Sequence, residues 1–118
     1  MDMLYYIYIG SNRVTIDHLS KITGGMFMAV SSCNKAAKVI DGIRERYNTS
    51  ILYEESTPQK DSQNITFLHK RFPRVYIILI TEGLQKEHRK LYLQAGVNTT
   101  LSPMASEESL LQKVKFLR

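Results

Sequence analysis

Short runs of consecutive apolar residues alternate along the chain with stretches in which apolar positions recur every three or four residues. That alternation is the pattern of strands followed by helices. Residues 4–9, LYYIYI, are rich in aromatic and β-branched side chains, and Gly10-Ser11-Asn12 closes them as a turn would. They read as a buried strand. From Val14 to Ile22, Ile16, Leu19 and Ile22 fall three residues apart, and Gly24-Gly25 supply a stop, so a helix is predicted there. Met26 to Ser31 is a second strand, and Asn34 is the expected N-cap of a helix that buries Ala36, Ile40, Ile43 and Tyr47.

The unit then repeats. Ser50 to Tyr53 forms a third strand candidate, and Ile65, Leu68 and Phe72 mark a helical stripe that ends before Pro73. Val75 to Ile80 is apolar throughout, which suits a central parallel strand covered on both faces rather than a half-wet antiparallel one. A fourth helix runs to Ala95 and stops at Gly96, a residue free to take the positive φ of a helix terminus. Residues 98–101 make a short fifth strand. The last helix is capped by Ser106, places Glu107 and Glu108 at its positive end, and buries Leu110, Leu111, Val114 and Leu117.

Strands alternating with helices across short loops specify right-handed βαβ crossovers and a doubly wound parallel sheet, an α/β fold in three layers. In such sheets the functional crevice lies beyond the carboxyl ends of the strands. Function is therefore expected in the loops after Ile9, Ser31, Tyr53, Ile80 and Leu101.

Composition narrows the classes. A chain of 118 residues with 43% apolar and 23% charged residues is the size and makeup of one packed domain. No apolar run approaches the roughly 20 residues that span a bilayer, and the first ten residues lack the features of a signal peptide, so no membrane association and a cytoplasmic location are expected. The net charge of +5 is spread along the chain rather than gathered into a nucleic-acid-binding arm. Its densest part, Lys70, Arg71, Arg74, Lys86, Arg89 and Lys90, reads as a solvated helix face with Glu87 as counter-charge. Cys33 is the single cysteine and reads as a packing residue. His18, His69 and His88 lie on separate predicted helices without acidic partners, so metal and triad sites are not expected. No phosphate-binding glycine motif follows a strand.

Thr81 after the fourth strand, the LQAG at 93–96 and the LSP at 101–103, together with the spacing of the elements, resemble the receiver domains of bacterial two-component response regulators over almost the whole chain. The resemblance implies a five-stranded sheet of order 2-1-3-4-5 with five helices. It implies a single receiver-like domain over residues 1–118, read as the N-terminal part of a longer transcription regulator. In that family an acidic pair and an aspartate hold Mg²⁺, the aspartate accepts a phosphoryl group, and a hydroxyl residue and a lysine contact it. Here the acidic pair aligns with Gly10 and Ser11, and the acceptor with Glu54, four residues before Pro58, with Glu55 as the neighbouring alternative. Ser102, before Pro103, replaces the lysine, and Thr99 or Thr100 stands where an aromatic is usual. Thr81 alone remains of the core set. Mg²⁺ requires hard oxygen ligands, usually carboxylates, so no Mg²⁺ or other cofactor is expected. The expected role is that of a pseudo-receiver, a phosphorylation-independent binding module and not an enzyme. Glu54 would place a permanent negative charge beside the Thr81 hydroxyl, and the Ser102–Pro103 bond is expected to be cis.

The resemblance further implies a protein partner, or self-association, on the face of helix four, strand five and helix five. Lys86, Arg89, Lys90, Tyr92, Gln94 and Lys113 are its expected residues, and nucleic acid would be met only through an output module outside this chain. The alternative is a crevice that binds a small molecule or accepts phosphoryl on a noncanonical residue.

Overall fold

The computed structural model describes residues 4–24, 26–44 and 48–114. The strands are β1 (Tyr5–Ile9), β2 (Met26–Val30), β3 (Thr49–Glu54), β4 (Tyr76–Ile80) and β5 (Thr99–Leu101). They alternate with α1 (Arg13–Ile22), α2 (Cys33–Asp41), α3 (Pro58–Arg71), α4 (Lys86–Ala95) and α5 (Glu107–Val114). All pairings are parallel and the sheet order is β2-β1-β3-β4-β5. The chain therefore reverses direction across the sheet between β1 and β3, where a doubly wound fold opens its crevice.

Strand alternation sorts the core into two layers. Ile7, Ile9, Ile51, Tyr53, Ile77 and Leu79 point to one face and meet Ala36 and Ile40 of α2, Ile65 and Leu68 of α3 and Tyr92 of α4. Tyr6, Tyr8, Leu52, Ile78 and Ile80 point to the other and meet Leu19 of α1 and Leu110 and Val114 of α5. The uninterrupted apolar run of β4 is explained by its place between β3 and β5, with Ile77, Ile78 and Leu79 wholly buried. Burying each such side chain contributes about 1.5–3 kcal/mol. β2 occupies an edge, and Met26 and Met28 remain about half exposed there.

Helix ends follow local chemistry. Asn12 caps α1 by accepting from the Thr15 amide (3.2 Å), and Ser106 accepts from the Ser109 amide (3.1 Å) at the start of α5. α2 begins earlier than its sequence suggests. Ser32, in extended backbone, accepts from the Lys35 amide and is the N-cap, which leaves Asn34 inside the helix and exposed. Gly96 has φ +126, and a Cβ there would lie 2.7 Å from the His69 ring, so the end of α4 requires glycine. Leu111, expected on the buried face of α5, is 50% exposed, because the helix buries only the stripe through Leu110 and Val114. Tyr47 and Leu117 lie outside the described residues. Ser102–Pro103 is trans, contrary to the sequence expectation, since no cis peptide bond occurs among the described residues. Among those residues no helix is long and apolar enough to cross a membrane.

Candidate functional site

The loops after β1, β3, β4 and β5 form a crevice lined by Asn12, Glu54, Glu55, Thr81, Gly83 and Pro103, with a volume of about 420 Å³. Two adjacent glutamates dominate it. Glu54 is the last residue of β3, on the same face as Leu52, and so points toward Tyr8 and the β1–α1 loop. Its Oε1 accepts from the Tyr8 hydroxyl (2.5 Å) and the Asn12 amide (2.9 Å), and its Oε2 accepts from the Ser11 amide (3.3 Å). The carboxylate thereby supplies negative charge to the N-terminus of α1, whose first turn has no acidic residue of its own. Gly10 makes room for it: a Cβ at that position, where φ is +155, would lie 2.6 Å from Glu54 Cβ and Cδ.

Glu55 is the residue that meets Thr81. Beyond the strand end, its amide donates to the Ile80 carbonyl (3.1 Å), and its Oε1 accepts from the Thr81 hydroxyl (2.7 Å). Thr81 Oγ1 in turn accepts from the Gly83 amide (3.2 Å), bracing the β4–α4 loop. The charge beside Thr81 thus comes from Glu55 rather than from Glu54, because alternation along β3 sends the two carboxylates to different loops. Ser102 is exposed and accepts from the Met104 amide (3.2 Å), so its hydroxyl serves a local turn and only Pro103 lines the crevice.

The fit to Mg²⁺ can be judged from these donors. Gly10 and Ser11 bring only backbone and a hydroxyl, and Glu54 is engaged by three donors on the β1–α1 side. Among the described residues no group of three or more His, Cys, Asp or Glu side chains converges. The residues therefore do not fit a carboxylate-built cation site.

A second polar cluster was not foreseen. Asp61, in the first turn of α3, is only 2% exposed. Its Oδ1 accepts from the Tyr53 hydroxyl (3.1 Å), and its Oδ2 accepts from the Ser56 amide (2.7 Å) and the Tyr92 hydroxyl (2.8 Å). Asn64 donates to the Tyr53 oxygen (3.0 Å). Burial first, and then the neighbouring carboxylates, raise Tyr8 and Tyr92 far above the ordinary phenol value; burial is also the main cause for Tyr53. All three are neutral donors at physiological pH. An acid one turn after Pro58 was a visible sign of a helix start, but nothing local announced its partners.

The α4–β5–α5 face carries a groove of about 510 Å³ lined by Arg89, Leu93, Thr99, Thr100, Ser109 and Lys113, among others. Lys86, Arg89, Lys90 and Gln94 are exposed. Lys113 is half-buried and donates to Thr99 Oγ1 at 3.4 Å. Tyr92 corrects the sequence reading: it is wholly buried and turned inward to Asp61, so it does not belong to the outer surface.

The remaining candidates are structural. Cys33 is half-buried, its thiol pushed up to about 11 by burial and donating to the Asn64 carbonyl (3.5 Å). His18, expected at the surface, is half-buried with Nε2 2.6 Å from the Ala105 carbonyl, while His69 is exposed beside Gly96. Arg71 pairs with Asp41 (2.7 Å) on the surface.

No family model and no curated protein matches this sequence. Solved structures do match. A response regulator from Thermotoga maritima superposes with TM-score 0.84 at 13% identity, covering 98% of each chain. The Vibrio cholerae chemotaxis protein CheY4 gives 0.81 at 12% identity over 99% of this chain and 100% of its own. The CheY-like protein tadZ from Pseudomonas aeruginosa gives 0.80 at 13%, over 99% and 94%. With its sheet order, its strand-end crevice and these neighbours, the chain has the fold of a CheY-like receiver domain.

Proposed function

We propose that this chain is an atypical receiver domain that acts in signal transduction by phosphorylation-independent protein–protein contact, through the face of α4, β5 and α5. One observation carries the reading. The groups that would hold a metal and a phosphoryl group are occupied by the chain's own carboxylates: Glu54 is bound by Tyr8, Ser11 and Asn12, and Thr81 by Glu55. A phosphoryl group arriving at Glu54 would have to break three hydrogen bonds, and Ser102 stands where the family's lysine would offset its charge. The contact face, by contrast, exposes Lys86, Arg89 and Lys90 beside an open groove. The domain has no enzymatic step to perform in this scheme. Its place is in a cytoplasmic regulator, such as one controlling transcription, whose output module lies outside this chain.

Incubation with acetyl phosphate and Mg²⁺, followed by intact mass, tests the proposal. The expected result is an unchanged mass. Gain of one phosphoryl group, or saturable NMR shifts around Glu54 and Thr81 on adding acetyl phosphate, would replace it with a crevice that still receives phosphate.

A further inference from the structure

α4 packs along α3 and buries little of its own surface. Of its 10 residues only Tyr92 and Ala95 are buried, and Gln85 at its N-cap makes no side-chain cap hydrogen bond. Leu93, on the same helix, is 56% exposed. Its place is set by that packing together with the specific bonds that reach it. Two reach it from the β3–α3 side. The Glu55–Thr81–Gly83 chain fixes the loop before α4. The Tyr92 hydroxyl, from the middle of the helix, donates to Asp61.

We propose that Asp61 is a positioning residue that holds α4, and with it the partner-binding face, in one fixed arrangement through the Tyr92 hydroxyl. The inference rests on the proposed function only in that α4 belongs to that face. Asp61 suits the task because it is itself immobilised. The Ser56 amide ties it to the β3–α3 loop and the Tyr53 hydroxyl ties it to β3. Its carboxylate has no cation among these partners, so its acceptor strength is directed to three donors, one of which comes from α4. The line β3, Asp61, Tyr92, α4 therefore joins the most buried strand of the crevice to the contact face without a phosphoryl group in the path.

Amide hydrogen exchange measured by NMR on the full chain, with no partner and no phosphodonor, tests this. Tyr92→Phe keeps the ring and removes one hydroxyl. It is expected to speed exchange of the amides of residues 89–96 about five- to tenfold, the effect of one net hydrogen bond, while β1 and β3 amides change little. Asp61→Asn keeps the shape and one acceptor, so it should loosen the same amides by a smaller factor. The double variant should loosen these amides by less than the product of the two single factors, because both changes act on the same bond. Exchange that rises uniformly across the molecule, α4 amides that do not respond, or fully additive effects would each overturn the assignment. Formation of a phosphoryl adduct would overturn the proposed function and leave this result standing.

Discussion

The strand-end crevice and the α4–β5–α5 face differ in what their polar groups are doing. In the crevice both glutamates, the Thr81 hydroxyl and the amides of Ser11 and Asn12 have partners inside the chain. On the face Arg89 has no ion-pair partner among the described residues, and Lys113 reaches only a threonine hydroxyl. Satisfied groups stabilise the fold and leave little free energy for an incoming ligand. Unsatisfied, solvated ones cost the fold little and remain available for binding. The comparison supports the proposal that function lies away from the strand-end crevice.

Substitutions can break or sharpen that contrast, and the largest effect is expected at the buried cluster. Asp61→Ala leaves the Tyr53 and Tyr92 hydroxyls and the Ser56 amide without their acceptor. It should lower unfolding stability by about 4 kcal/mol, read by urea denaturation. A loss below about 1 kcal/mol would mean that the network contributes little.

Glu54→Ala should cost less, about 2 kcal/mol, because water can reach the Ser11 and Asn12 amides once the carboxylate is gone. Gly10→Ala is expected to cost a similar amount, through positive φ and the 2.6 Å approach of its Cβ to Glu54. The two should not add. Glu54→Ala removes the contacts with Cδ and Oε1 but keeps the one with Cβ, so in the double variant the alanine at position 10 costs less than it does alone yet more than backbone strain of about 1 kcal/mol. Full additivity would show that the outer part of the Glu54 side chain does not lie against Gly10.

Alkaline pH offers a further test. Tyr8, Tyr53 and Tyr92 are raised above the ordinary value of 10.0 by burial and by carboxylate neighbours. A raised folded value means that the unfolded chain loses the proton first. The stabilisation is therefore complete below pH 10 and is lost as pH climbs above it, by about 1.4 kcal/mol per pH unit for each tyrosine. Denaturation midpoints from pH 9 upward should show this slope, and Tyr92→Phe should remove one tyrosine's share.

The smallest effect belongs to the contact face. Arg89→Glu with Lys113→Glu should shift stability by no more than about 0.5 kcal/mol. A larger loss would place these cations in the fold's own stabilisation and weaken the contrast with the crevice.

The sheet was legible because its signal is local. A run such as Val75 to Ile80 declares a doubly covered strand without reference to the rest of the chain, and Gly96 declares a helix end. At the crevice the sequence tells that Gly10, Ser11 and Ser102 carry no charge, but not that Glu55 rather than Glu54 meets Thr81. Pairing was not legible. Periodicity gives the face of an element but not the partner across the core, and Tyr92 meets Asp61 from 31 residues away, while Tyr8 meets Glu54 from 46. In α4, Leu91, Tyr92 and Leu93 are three consecutive candidates for one inward position, and the pattern cannot choose between them. Ser32 and Asn34 are both good caps, and the geometry of the turn after β2 decided for Ser32.

The self-occupied crevice is probed most directly by an NMR titration with beryllofluoride and Mg²⁺, which together imitate a phosphorylated carboxylate. The amides of Ser11, Asn12, Glu55, Thr81 and Gly83 serve as reporters. The account predicts that none of them shifts saturably, alone or with Mg²⁺. Saturable movement of these amides, carrying α4 with them, would contradict it.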